Sequence, residues 1–274
     1  RKSVIPSIVL KKNSNKKIIN IHIQNPKISP KNFSYIVVPN HDNLKGENIF
    51  NSIGALHHFK NKNIKKENSN KIKNNLVSCI IGGENNHYIF TLKEAKELII
   101  KIKELKSKNS NLDFLVITSR RTGFDIKKLL KNELNKITKL WLGEDKNPYE
   151  FALYNSNYFI ITSDSTSMIS EASISGMPIY VYQLPFKRKS IRFERFHSEF
   201  KELNITRDFL TTKLSSPTEI LKPYLFNKAR LHKHILFSTE FGYAQVTDRI
   251  KLENVGLNPD GNFMTFQTRM AYEF

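Results

Sequence analysis

A single cysteine, Cys79, stands in a chain of 274 residues, so no disulfide framework can form within it and the sequence points to a reducing, cytoplasmic compartment. Long apolar runs are missing as well, and none approaches the about 20 residues that a membrane-spanning helix needs. Negative charge is scarce: 25 Asp and Glu face 44 Lys and Arg, a net charge of +19. That excess invites a nucleic-acid reading, but the lysines are scattered among Asn and Ile, as over 60–73 and 101–108. No aromatic residues interleave with a basic stripe and no nucleic-acid motif is present, so no specific nucleic-acid partner is expected. Diffuse solvated lysine is the expected explanation of the excess, and it leaves room for a mild peripheral attraction to anionic lipid, as at an inner membrane. Metal-ligand spacing is also lacking. His57 and His58 are adjacent, which does not suit chelation of one ion, and no Cys, Asp or Glu stands at ligand spacing from them.

What is present is an alternation of strand and helix patterns in a chain that is 39% hydrophobic, long enough for one large domain or two modest ones. A helix is predicted over Ser3–Lys12, with strands over Ile18–Ile23 and Tyr35–Val38. These are too few for a whole α/β domain, so the reading expects an N-terminal piece, including a first strand, to precede Arg1. From residue 76 the pattern is regular: a strand over Leu76–Ile81, a helix capped by Thr91, a strand over Asp113–Thr118 and a helix over Asp125–Leu134. A short strand at Lys139–Leu142, a helix opened by Pro148, and strands at Tyr158–Ile161 and Pro178–Tyr182 follow. This order predicts a parallel sheet covered on both faces, whose ligands bind beyond the carboxyl ends of the strands.

The candidate binding residues all lie in such loops. Ser163, Asp164, Ser165, Thr166 and Ser167 follow a strand and open a helix, where unpaired backbone N–H groups and the helix dipole favour an anion such as a diphosphate. One hydroxyl suffices for an N-cap, and here there are four, with Glu171 one turn on to meet a sugar hydroxyl. Gly82 and Gly83 end another strand and permit close backbone approach, or form an ordinary strand-to-helix turn. Ser119, Arg120 and Arg121 end a third, and adjacent arginines can clamp a diphosphate or simply lie on the surface. Asn147 before Pro148 fits capping better than base or ribose recognition. His41 and Asp42, at the end of the strand in the first segment, are candidates for a general base across a cleft.

The ordered set Val38-Pro-Asn-His-Asp42, Gly54-Ala-Leu-His57, Ile81-Gly-Gly83, Thr118-Ser-Arg-Arg-Thr122, Asn147-Pro-Tyr149 and Ser163-Asp-Ser-Thr-Ser-Met-Ile-Ser-Glu-Ala172 resembles the mitochondrial-fission Elm-type family over about residues 1–205. The resemblance implies an α/β protein of glycosyltransferase-B-like architecture. Two Rossmann-like domains would face a cleft: a partial one over 1–70 and a nucleotide-sugar-binding one over 71–205. A helical segment is expected over 206–240. The resemblance further implies that Gly83, Arg120, Ser165, Thr166 and Ser167 contact a diphosphate, that Glu171 contacts the ribose, and that His41 or Asp42 faces them. The expected partner is a nucleotide-diphosphate sugar, a donor substrate rather than a cofactor, with metal-independent transfer as the activity. The alternative is a non-catalytic adaptor that binds a partner protein or membrane surface with the same fold, since plant members are known for recruiting a dynamin-related protein.

The tail reads differently. Tyr243–Asn254 and Phe263–Phe274 alternate polar and apolar residues around Asn258-Pro-Asp-Gly-Asn262, which predicts a hairpin over 241–274 foreign to the family pattern. Its terminal Phe274 resembles the closing hairpin of an outer-membrane β-barrel, a reading preferred to an edge hairpin docked on the α/β body.

Overall fold

The computed structural model describes residues 2–59, 75–209, 225–232, 235–241 and 267–272. In the first unit, helix α1 (Val4–Asn13) precedes strands β1 (Ile21–Ile23), β2 (Tyr35–Pro39) and β3 (Ile49–Ser52). The three strands are parallel and lie side by side in chain order. Val4 and Ile8 of α1 bury against Phe33, Ile36 and Val38, which fixes the helix on one face of this sheet. Strand β3 escaped the sequence reading because Ile-Phe-Asn-Ser is short and only half-buried.

The second unit carries a six-stranded parallel sheet. Its elements are β4 (Leu76–Ile81), α2 (Leu92–Lys108), β5 (Asp113–Thr118), α3 (Phe124–Leu134), β6 (Lys139–Trp141) and α4 (Tyr149–Asn155). Then come β7 (Tyr158–Thr162), α5 (Thr166–Ser173), β8 (Ile179–Tyr182), α6 (Ile191–Glu202) and β9 (Thr206–Asp208). The strand order is β6-β5-β4-β7-β8-β9, the doubly wound Rossmann order, in which the winding reverses between β4 and β7. Strand β4 is the hinge of that topology and reads as an apolar run because helices cover both its faces. On one face Val77, Cys79 and Ile81 pack with Ala95, Leu98 and Ile102 of α2; on the other Ile80 packs with Ile169, Phe196 and Phe200. Each such buried aliphatic side chain contributes about 2 kcal/mol. The start of α2 is set by a capping box, in which the Thr91 hydroxyl accepts from Lys93 N and Glu94 reaches back to Thr91 N.

The two units are joined closely. Gly54, just past β3, has φ +68°, and a Cβ there would stand 2.6 Å from Ser170 Oγ and 2.7 Å from Phe200 Cζ. Only glycine lets this loop lie against α5 and α6. The next residue, Ala55, donates its N–H to Ser170 Oγ at 2.8 Å.

One expectation is corrected beyond residue 205. The 206–240 segment is not helical where it is described: Thr206–Asp208 is β9, the edge of the parallel sheet, and β10 (Leu225–His232) and β11 (Ile235–Phe241) pair antiparallel. Pairing of β9 with the distant β8 and the hairpin ladder between β10 and β11 take these residues into strands instead. Strand β12 (Gln267–Tyr272) pairs antiparallel with β11, so the described part of the tail belongs to a three-stranded sheet. The predicted strand over Tyr243–Asn254 and the turn at 258–262 lie outside the described residues. No helix among the described residues is long and apolar enough to cross a membrane.

Candidate functional site

At the point where the winding reverses, the loops after β4 and β7 meet around Asp164. Its side chain is wholly buried, and its carboxylate accepts from Thr162 Oγ1 at 2.6 Å, Gly83 N at 3.1 Å and Arg121 Nη2 at 2.6 Å. Burial pushes this carboxyl up, against the opposing pull of Thr162, Arg121 and the Gly83 N–H. A Cβ on Gly82 would fall 2.5 Å from Asp164 Cγ, and one on Gly83 would fall 2.8 Å from Thr122 N and nearer still to the Arg121 carbonyl. The close approach these glycines allow is therefore used by Asp164 and by the Arg121 backbone. Thr122 closes the bracket by donating to Gly82 O at 2.5 Å, and Ser119 Oγ accepts from Arg121 N at 3.1 Å. Ser163 is buried as well, its Oγ accepting from Leu184 N at 2.9 Å. These residues build a rigid floor beneath the turn.

The residues that open onto space lie one step further along. Ser165 is the N-cap of α5, accepting from Met168 N at 3.3 Å, and Thr166 and Ser167 form the first helical turn. Both line a cavity of about 320 Å³ whose opposite wall comes from the carboxyl ends of β1, β2 and β3, through Gln24, Pro39, Asp42 and Ala55. Gln24 and Lys27, both in this wall, adopt left-handed backbone conformations, with φ of 79° and 62°. Such conformations cost free energy in non-glycine residues and tend to collect at functional loops. The remaining cation of the cavity is Arg192, in the first turn of α6.

His41 and Asp42 do meet the second unit, but not as a free base. Arg192 Nε donates to Asp42 Oδ1, and Arg192 Nη2 lies 3.2 Å from His41 Nε2. His41 is buried with its ring edge-on to Phe196 at 5.2 Å, and burial, then the Arg192 charge, lowers its pKa to about 4 despite Asp42. Beside them Asn40 Nδ2 donates to Glu199 Oε1, which extends the contact along α6. Glu171 accepts from the Tyr149 hydroxyl on α4, and burial raises its pKa. The loop from Ala55 and Leu56, which line the cavity, runs on to His58, whose charge acts on Glu171. Asn147 Oδ1 accepts from Tyr149 N at 3.0 Å and so caps α4. Arg120 is exposed on the loop after β5, apart from the residues lining the cavity.

Of the residues singled out in the sequence, Asp42, Thr166 and Ser167 line one cavity, while Gly82, Gly83, Arg121 and Asp164 form the floor nearby. Arg192 was missed. The spacing of Phe193, Phe196 and Phe200 marks a helix there, but nothing local tells that its first turn faces Asp42 some 150 residues earlier. Among the described residues no group of three or more His, Cys, Asp or Glu is placed to hold a metal ion.

Among solved structures, the chain is similar to a UDP-GlcNAc 2-epimerase from Methanocaldococcus jannaschii, at 14% identity and a TM-score of 0.46, covering 74% of this chain and 62% of that one. It is 33% identical over 140 residues to an uncharacterized protein of Rickettsia prowazekii, covering 48% of this chain and 38% of the relative. It is 30% identical over 96 residues to the mitochondrial fission protein ELM1 of Arabidopsis thaliana, covering 34% of this chain and 22% of that protein. The matched region thus spans well under half the length of either relative. The sequence model of the mitochondrial fission ELM1 family matches residues 1–231, and the chain belongs to that family.

Proposed function

We infer that the cleft between the two units binds a nucleotide-diphosphate sugar and that the protein works as a glycosyltransferase-B-like binder of this donor. One observation carries the reading: the cavity of about 320 Å³ is walled by the carboxyl ends of one parallel sheet and by the first turn of α5 from the other. In doubly wound folds that is where ligands sit. The free N–H groups of α5 and the Thr166 and Ser167 hydroxyls suit the diphosphate, and Glu171, held by Tyr149, suits the ribose. Transfer on this reading breaks the bond between the anomeric carbon and the diphosphate oxygen, which leaves with the electron pair. An acceptor hydroxyl oxygen bonds to that carbon, and its proton passes to solvent water. Positive charge from the protein would then stabilise the departing diphosphate without a metal.

Calorimetric titration of the full chain with UDP, GDP, ADP and CMP tests this. One nucleotide should bind at micromolar affinity, with loss of binding in Glu171→Ala; binding of none would overturn the reading. A second reading, an adaptor that binds without turnover, is favoured by the engagement of both His41 and Asp42 with Arg192, which leaves neither poised as a general base. Nucleotide binding with no hydrolysis or transfer of the matching sugar nucleotide would select it, whereas turnover would exclude it.

A further inference from the structure

The geometry points to Arg192 as the residue that receives the phosphate charge of the ligand in this cleft, with Asp42 and His41 as positioning residues that aim it. The assignment rests on the nucleotide reading for the ligand's identity, but its evidence is separate. A guanidinium has five N–H donors in a rigid planar fork. One, on Nε, goes to Asp42 Oδ1, and one, on Nη2, goes to His41 Nε2 at 3.2 Å. That leaves three, two on Nη1 and one on Nη2, at the far end of the fork. The Arg192 side chain keeps 48% of its exposure while its partner Asp42 keeps 8%, so the pair leaves the arginine only partly covered. Both residues line the cavity that Thr166 and Ser167 close from α5.

The support behind Arg192 is specific. Because the guanidinium donates to Nε2, the His41 ring must present a lone pair there and carry its proton on Nδ1. Nδ1 is buried and has no hydrogen-bond partner, so this ring has one polar task among the described residues, which is to accept from Arg192. The ring is also fixed edge-on against Phe196, one helical turn beyond Arg192. An ion pair that merely tied the two units together would need neither a desolvated histidine nor a partly uncovered guanidinium. The charge balance of the cavity fits as well. Its lining includes Arg192, Lys27 and a single carboxylate, Asp42, which is already engaged, so the open space is left to the cations and the α5 N–H groups. A diphosphate, whose oxygens accept two parallel N–H bonds, matches the free end of the fork.

The test uses the full chain, with UDP and inorganic pyrophosphate as probes in calorimetry and the melting temperature recorded for every variant. Arg192→Gln should weaken both probes by about tenfold or more, the loss expected for charge-assisted hydrogen bonds. The double variant Asp42→Asn/Arg192→Gln removes the buried carboxylate together with its partner and should show the same loss with a melting temperature near that of the parent. His41→Leu should lower pyrophosphate affinity severalfold, and His41→Gln, whose amide oxygen can accept the same N–H, should restore it. Undiminished UDP binding in both Arg192 variants would overturn the assignment while the nucleotide reading stands. Pyrophosphate bound by the parent and lost in the variants, with no nucleotide bound at all, would sustain Arg192 as an anion site and overturn the nucleotide reading. If the parent binds neither probe, the assignment falls, and the nucleotide reading falls with it when GDP, ADP and CMP also fail to bind.

Discussion

The bracket around Asp164 predicts a strong energetic coupling between a glycine and a carboxylate that are 82 positions apart in the chain. Asp164→Ala removes an acceptor that takes three hydrogen bonds, from Thr162, Gly83 and Arg121. Breaking a buried, paired carboxylate costs about 3–5 kcal/mol, and the low end applies here because Arg121 is 40% exposed and can turn to water. Gly82→Ala acts on the same bracket from the other side. Its methyl would stand 2.5 Å from Asp164 Cγ, which forces the carboxylate off its three donors, at about 2–3 kcal/mol. In an Asp164→Ala background that volume is vacant and the glycine substitution should cost under about 1 kcal/mol. The cycle therefore predicts a coupling of about 2 kcal/mol. Urea unfolding followed through Trp141, the one tryptophan of the chain and a member of the same sheet, supplies all four stabilities. Additivity to within about 0.5 kcal/mol would refute the claim that Gly82 is glycine on account of Asp164.

The neighbouring arginines should separate by stability. Arg121→Ala should cost about 1–2 kcal/mol, discounted for the exposure of its head group, because it strips Asp164 of its cation; Arg120→Ala should stay within about 0.5 kcal/mol in the same urea assay. Acid should destabilise the fold in a defined window. His41 and His57 have pKa values lowered, chiefly by burial, from 6.5 to about 4, so the unfolded chain binds protons there that the folded chain refuses. Stability then falls as pH drops from about 6.5 towards 4, by up to about 3 kcal/mol for each ring. His41→Gln should flatten that slope in urea titrations run at several pH values, and an unchanged slope would show that His41 is not among the groups responsible.

How much of this was legible in the sequence follows from which forces are local. Strand β5 was read to its end residues, Asp113–Thr118, and the cap of α2 to Thr91, because alternation of apolar runs with turns and a capping box are local signals. The short β3 was not read, since a half-buried strand owes its existence to a partner elsewhere, and the hairpin of β10 with β11 was not read either. The same division runs through the candidate site. Position at the carboxyl end of a strand was readable, and Thr166 and Ser167 do open onto the cavity. What each hydroxyl or carboxylate does there was not, because Ser163 and Asp164 differ from Thr166 and Ser167 only in which way the turn carries them, inward to Leu184 and Arg121 or outward to the cleft.

That division also bears on how the cleft is built. The floor residues Gly82, Gly83, Asp164, Arg121 and Thr122 all come from the second unit and satisfy one another, so the turn that presents α5 is rigid whatever the first unit does. The opposite wall is held differently, through Arg192 with Asp42 and His41, Asn40 with Glu199, and Gly54 and Ala55 against Ser170. Every one of those contacts joins the first unit to α5 or α6. A change in what Arg192 binds would therefore be felt at the junction of the units before it reached either sheet, which makes the anchor of the cavity wall and the proposed receptor of the ligand's charge one and the same side chain.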